Sequence, residues 1–104
     1  MKNKKIHAFM LNNIINFNID ELVTHIEDNY PSADIYNIKR TYFHLQPNGN
    51  DLNDILSSFL IDKVNELNEG GEEVETLIRD NINIFFDITD KSDNIYIIER
   101  MESN

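Results

Sequence analysis

Residues 50–71, NDLNDILSSFLIDKVNELNEGG, contain the helical pattern around which the other elements of the chain are arranged. Apolar residues recur at steps of one, three and four positions, which is the stripe of an amphipathic helix. Asn50 or Asp51 can accept a hydrogen bond from a first-turn N–H. Gly70 or Gly71 can close the C-terminus in the left-handed conformation. The stretch therefore predicts a helix of about five turns with one apolar face and one acidic face.

Length and composition favour one folded domain. The chain has 104 residues, 40% of them hydrophobic, with six Phe and four Tyr. That is enough to bury a single core, so residues 1–104 are predicted to form one compact domain. The absence of cysteine excludes a disulfide, a thiolate nucleophile and a cysteine metal site.

The segment before residue 31 predicts one ambiguous element and one clear helix. Residues 4–11 alternate in a way that favours a strand, although they can also begin a helix, and residues 12–17 are interpreted as a connection. Asn18 and Glu21 have the spacing of a capping box, which predicts a helix from this point. Pro31 ends that helix, because the residue before a proline is pushed out of the α region.

Residues 33–45 favour one long strand, because β-branched and aromatic residues are frequent and alternate. Tyr36, Ile38, Tyr42 and His44 share one parity. The following residues, 46–50, have the composition of a turn. Within this segment, Lys39 and Arg40 form the only basic pair after residue 5.

The remaining elements complete the expected architecture. Residues 72–80 predict a short helix, and residues 82–89 and 94–101 predict two strands joined by a turn of four to five residues at 90–93. The order is thus β-α-β-α-α-β-β. We expect an α+β fold in which two to three helices pack on one face of an antiparallel or mixed four-stranded sheet.

The charge is strongly acidic and unevenly distributed. Nineteen acidic residues against nine basic ones give a net charge of −10. Residues 1–50 contain five of each, so the whole excess lies in residues 51–104. Such a field repels nucleic acid and anionic membranes and steers the chain toward basic protein surfaces. The alternative is that the charge only keeps a small domain soluble.

A search for catalytic and ligand-binding patterns finds none. Gly-x-Ser-x-Gly, P-loop and Gly-x-Gly-x-x-Gly motifs are absent, and the three glycines are too few for a phosphate-binding loop. The histidines, His7, His25 and His44, have no second histidine at helical metal spacing and are interpreted as packing or surface residues. We predict no catalytic residue, no metal site and no cofactor.

The candidate site is instead an acidic surface. On the long helix, carboxylates follow one another at steps of four and three residues, and more follow after the two glycines. Like charges at these spacings repel, and their separation is near that of successive phosphates on a nucleic-acid strand. The bland alternative is a solvated helix face. The predicted partner-binding residues are Asp62, Glu66, Glu69, Glu72, Glu73, Glu75 and Asp80.

These observations favour a small acidic binding protein. We expect an inhibitor of the phage anti-defence or toxin-immunity type, which occludes the basic nucleic-acid-binding surface of a nuclease or related enzyme, in the extreme as a DNA mimic. The alternatives are an oligomerising or adaptor domain, including a homodimer formed through a strand edge or the apolar parts of residues 4–17, and a small enzyme with a pocket of facing carboxylates. We expect no direct nucleic-acid partner.

The sequence also suggests where the chain is found. No apolar run approaches the roughly 20 residues needed to cross a bilayer, and residues 1–11 lack the pattern of a signal peptide. A cytoplasmic location is therefore expected. Sixteen Asn and sixteen Ile are typical of an AT-rich coding sequence, which suggests a low-GC bacterium or one of its phages.

Overall fold

The computed structural model describes residues 4–101, including the side chains of residue 8 and residues 10–101. Its four strands form one antiparallel sheet in the order β1-β2-β4-β3. The predicted α+β class and four-stranded sheet are therefore confirmed, and residues 4–101 contain five helices. The elements are α1 Lys4–Ile14, α2 Ile19–Asn29, β1 Asp34–Tyr36, β2 Tyr42–Gln46, α3 Leu52–Glu66, α4 Glu72–Asp80, α5 Ile82–Phe85, β3 Phe86–Ser92 and β4 Ile95–Arg100.

The helices pack on one face of the sheet. Phe43, Leu45 and Ile98 point toward them and are fully buried. Because directly opposed residues share a face, the register places Ile35, Tyr96 and Ile88 on that same side. The other face carries Tyr36, Tyr42, His44 and Ile97.

Helix α3 lies at the centre of the helical layer and contacts α2, α4 and α5. As a result, buried residues extend around more of the circumference of α3 than one apolar face would cover. Ile61 is buried, and Ser57 is fully buried, with its hydroxyl donating to Asn53 Oδ1 at 2.7 Å. The predicted helix is correct in position, but its buried face is wider than the single apolar face that we expected.

The ends of α3 show one predicted cap and one different cap. Asp51 accepts the N–H of Asp54 at 3.1 Å, as expected for the N-cap. At the other end Asn68, with φ of 59°, takes the left-handed conformation that we assigned to Gly70 or Gly71. The N–H of Glu69 donates to the Val64 carbonyl at 2.8 Å, which completes a Schellman motif before the glycines are reached.

Helix α2 begins as predicted. Asn18 Oδ1 accepts the N–H of Glu21, and the Glu21 carboxylate accepts the N–H of Asn18, both at 2.9 Å. These reciprocal bonds are the capping box expected from the sequence. The helix ends at Asn29, before Tyr30 and Pro31.

Residues 4–14 form helix α1, so the preference for a strand at residues 4–11 was wrong, as was the connection from residue 12. The buried Ala8, half-buried Leu11 and buried Ile15 are spaced by three and four positions, which is a helical period. The alternating pattern is compatible with both a strand and a helix. Packing of α1 against α4 and α5 stabilises the helix.

The long strand predicted at residues 33–45 is a hairpin of β1 and β2. Asn37, with φ of 53°, takes a left-handed conformation that a strand does not accommodate, and the chain reverses there. The alternation nevertheless survives the interruption, since Ile35, Phe43 and Leu45 share the core face.

The closing hairpin also differs in its boundaries. Residues 82–85, predicted as strand, form the helical turn α5 with Ile82 and Phe85 buried. β3 then runs to Ser92, and the connection is the two-residue turn Asp93–Asn94. Both residues have positive φ, 49° and 64°, which is typical of a type I′ hairpin turn. The predicted loop of four to five residues was therefore too long.

Candidate functional site

A groove of about 480 Å³ lies between the start of α2 and the second half of α3. The floor is contributed by Phe59 and His25, whose rings meet edge to face with centroids 5.5 Å apart. The lining residues are Asn18, Asp20, Glu21, Thr24 and His25 from the α2 side, and Phe59, Asp62, Lys63 and Glu66 from α3.

The groove is acidic. Four carboxylates, those of Asp20, Glu21, Asp62 and Glu66, face one ammonium group, which leaves a net charge of −3 on its lining. Asp20 and Glu21 belong to the first turn of α2, where the positive end of the helix dipole stabilises them. The groove therefore combines two carboxylates that the helix dipole of α2 stabilises with Asp62 and Glu66, which repel each other across one turn of α3.

Lys63 shows how the groove holds a cation. Its ammonium group donates a hydrogen bond to Glu21 and lies 5.6 Å from the centroid of the Phe59 ring. This combines a carboxylate contact with a cation–π contact. The bond from Lys63, followed by the Asn18 N–H, holds the pKa of Glu21 below its ordinary value of 4.5. Glu21 is thus kept ionised at neutral pH.

His25 connects the groove to the core. Its side chain is only 10% exposed, and its Nε2 atom is 2.9 Å from Ser58 Oγ. Burial lowers the pKa of His25 below 6.5, and the charges of Asp62 and Asp28 act in the opposite direction. The Nδ1 atom is 3.6 Å from Asp62 Oδ2. At neutral pH the ring is therefore uncharged and does not cancel the carboxylates.

The contact between Asp62, His25 and Ser58 resembles the order of a nucleophile triad, but its hydrogen bonds run the other way. Ser58 donates its only proton to the Ile55 carbonyl at 3.0 Å and accepts a bond from Tyr30 Oη at 3.2 Å. His25 Nε2–H then donates to Ser58, instead of accepting its proton as a general base does. Ser58 is also absent from the groove lining. We interpret this set as a structural link between α2 and α3.

The seven predicted partner-binding residues lie in two groups, one in the groove and one on α4, with one residue between the groups. Asp62 and Glu66 line the groove. Glu72, Glu73 and Glu75 form the first turn of α4, and Asp80 is its last residue. Glu69 is exposed in the connection. All seven side chains are exposed except that of Glu75, which is half-buried.

Not every acidic residue belongs to this surface. Asp54 bonds Arg79 at 2.9 Å, so the exposed face between α3 and α4 is partly neutralised. Other carboxylates lie on the closing hairpin, in β3, in its turn and in β4. They are Asp87, Asp90, Asp93 and Glu99. The acidic excess of residues 51–104 is therefore divided between the helical layer and the sheet.

The sequence interpretation missed Asp20, Glu21 and His25 as members of the site. Their separation from Asp62 by more than 35 residues leaves no local spacing that could reveal the contact. The capping box identified Glu21 only as a helix-start residue. A carboxylate three positions after His25, Asp28, was also passed over, although its charge favours the protonated ring.

Searches for other kinds of site were negative. Among the side chains that the structure describes, those of residue 8 and residues 10–101, no three His, Asp or Glu groups are arranged to hold a metal ion. None of the helices within residues 4–101 has the length and apolar character required to cross a membrane. Comparisons of the chain with protein-family models, curated proteins and solved structures found no match.

Proposed function

We propose that this chain is a small acidic binding protein that docks on the basic, nucleic-acid-binding surface of another protein and blocks it. The groove between α2 and α3 carries the proposal, since four carboxylates converge there around an aromatic floor. Such a protein acts as an inhibitor of the anti-defence or immunity type, in the cytoplasm of a low-GC bacterium or of a cell infected by its phage.

The groove suits arginine and lysine side chains of a partner. Lys63 already places an ammonium group between Glu21 and the ring of Phe59. Asp20, Asp62 and Glu66 supply further carboxylates along the same groove. A basic side chain entering beside Lys63 can form charge-assisted hydrogen bonds with Asp62 and Glu66.

The first turn of α4 extends the negative surface beyond the groove. Glu72 and Glu73 are exposed there, and the helix dipole stabilises both carboxylates. A partner that binds nucleic acid carries a row of cations at phosphate spacing, and carboxylates on two helices can meet such a row. By DNA mimicry we mean this correspondence between carboxylates and phosphates. It predicts that the protein and nucleic acid compete for the same surface of the partner.

The decisive experiment is affinity capture from a lysate of a low-GC bacterium, followed by elution with a short DNA duplex. We expect a captured basic protein to be released by the duplex at constant ionic strength, because duplex and groove compete for the same cations. Binding should also weaken between about 0.1 M and about 1 M salt, as the Debye length falls from about 10 Å to about 3 Å.

A matched pair of variants separates the groove from the overall charge. Asp62→Asn with Glu66→Gln removes two groove carboxylates, whereas Asp90→Asn with Asp93→Asn removes two exposed hairpin carboxylates. We expect the groove variant to lose the captured protein and the hairpin variant to retain it. Equal capture by both variants, or a captured protein that the duplex does not displace, would overturn the proposal.

A further inference from the structure

The sheet face that points away from the helices carries an aromatic cluster. Tyr36, Tyr42 and Ile97 are half-buried, and His44 is 8% exposed. The His44 ring contacts Tyr36, with centroids 5.7 Å apart, and Tyr42, at 6.3 Å. None of these four residues belongs to the core beneath the helices. An apolar sheet face of this kind is normally covered in one-sided α+β folds or used for association.

A row of charges crosses this face from one side to the other. Lys39 and Arg40 are exposed in the loop between β1 and β2, where the Lys39 N–H donates to the Tyr42 carbonyl at 2.7 Å. Tyr42 is opposed by Glu99 on β4, and Glu99 is opposed by Asp87 on β3. Both carboxylates are exposed. The row therefore runs from basic on the β1-β2 side to acidic on the β4-β3 side.

The acidic end of the row is unfavourable in a single chain. Asp87 and Glu99 are directly opposed on neighbouring antiparallel strands, so their side chains project from the same face. Like charges in this position repel each other and destabilise the pair of strands. A cation placed above them would remove that repulsion.

We propose that this face is the interface of a homodimer in which two sheets pack face to face. The twofold axis runs parallel to the strands, midway between the two sheets and above the boundary between β2 and β4. It places the β1-β2 side of one copy opposite the β4-β3 side of the other. Lys39 and Arg40 of each copy then face Asp87 and Glu99 of its partner, and the aromatic clusters meet in the middle. A twofold interface makes each of these contacts twice.

The charge of the chain also favours a second copy of the same chain as the partner on this sheet face. The chain has a net charge of −10, so most pairs of its surfaces repel. In this row two basic loop residues balance two acidic strand residues, Asp87 and Glu99, so the row is its own complement about the twofold axis. Partners of one charge sign, such as the basic surface proposed for the groove, would meet repulsion at one end of the row. The sheet-face dimer therefore does not depend on the proposed inhibitory function.

The test is a charge-swap experiment by sedimentation velocity at low salt. Lys39→Glu with Arg40→Glu, and Asp87→Lys with Glu99→Lys, each place like charges opposite one another in a homodimer. We expect each double variant alone to raise the dimer Kd at least about tenfold. Mixed together, the two variants should form a heterodimer as tight as the native homodimer, since both contacts then pair opposite charges.

Glu73→Lys with Asp80→Lys is the matched control, because it makes the same change in net charge on the solvent face of α4. Alone it should dimerise with the native Kd, and it should not form a tight heterodimer with the Lys39→Glu, Arg40→Glu variant. Urea unfolding of each variant verifies that it is folded. A native protein that stays monomeric, or a mixture that does not associate, would overturn the proposal. Homodimers that survive both swaps would also overturn it, because an interface at the exposed Met10 and Ile14 would give that result.

Discussion

His25 joins the groove to the helical core. Its ring spans the space between α2 and α3, donating to Ser58 at 2.9 Å while Asn29 Nδ2 lies 3.3 Å from its Nδ1 atom. Both ring nitrogens are therefore engaged when the ring is neutral. Protonation would place a second hydrogen beside the Asn29 amide and a charge in a largely buried site, which is why burial lowers the pKa of His25 despite nearby Asp62.

This residue predicts the slope of stability with pH. Because the folded-state pKa of His25 lies below 6.5, the unfolded chain binds more protons than the folded chain as the solution is acidified. The contribution is complete above pH 6.5 and is lost as pH falls through the folded-state pKa. We expect the urea midpoint to fall between about pH 7 and about pH 5, and His25→Gln to remove much of that fall.

Glu21 supplies the control, because its pKa is lowered from 4.5 and its contribution to stability is lost only below that pH. Glu21→Gln should therefore leave the slope between about pH 7 and about pH 5 unchanged. A native midpoint that rises on acidification through this range would show that the Asp62 charge outweighs burial at His25, contrary to our interpretation.

At the scale of elements, the end of α3 decides how the chain reaches α4. Asn68 takes φ of 59°, and the N–H of Asn68 donates to the Asn65 carbonyl at 3.1 Å. The chain then passes Gly70, where a Cβ would collide with the Asn65 side chain. Asparagine is one of the few residues other than glycine that tolerates the left-handed conformation, so Asn68 can end the helix two residues before the first glycine.

We expect Asn68→Ala to lower the free energy of unfolding by about 1 kcal/mol, because alanine keeps the Cβ but lacks the short polar side chain that lets asparagine tolerate the left-handed conformation. Asn68→Gly should leave the free energy of unfolding unchanged or raise it, because glycine has no Cβ to collide. Urea denaturation of the two variants gives the comparison. Equal losses from both would mean that the Asn68 side chain, and not its backbone conformation, stabilises the helix end.

For the whole molecule, the largest electrostatic quantity is the net charge of −10. Two ion pairs, Lys63 with Glu21 and Arg79 with Asp54, oppose it locally. Partly exposed pairs of this kind contribute about 0–1 kcal/mol each and weaken in salt. Repulsion among the remaining carboxylates acts across the molecule and is screened by the same ions. We therefore expect repulsion to dominate the response to salt.

Added sodium chloride should accordingly stabilise the protein. We expect the urea midpoint to rise between about 0.01 M and about 0.15 M salt, over which the Debye length falls from about 30 Å to about 8 Å. The rise should be smaller in Glu73→Lys with Asp80→Lys, whose net charge is less negative by four. A midpoint that falls with salt would show that local ion pairs contribute more than overall repulsion.

Local signals in the sequence were sufficient for much of the architecture. The caps at Asn18 and Asp51, the helix over residues 72–80 and the alternation of Ile35, Phe43 and Leu45 all depend on neighbours within a few positions. Hydrogen bonds at helix starts and the period of two in strands act over that range, so residue order is enough to predict them. The pairing of Asp62 and Glu66 on one side of α3 could be predicted for the same reason, since they are four positions apart.

Contacts between distant segments decided the remainder. Residues 4–14 became a helix because α1 packs against α4 and α5, and Ser57 became buried because α3 is packed on several sides. The groove exists because α2 brings Asp20 and Glu21 beside Asp62. Burial and charge proximity are properties of three-dimensional distance, and a one-dimensional pattern holds no measure of that distance between residues more than 35 positions apart.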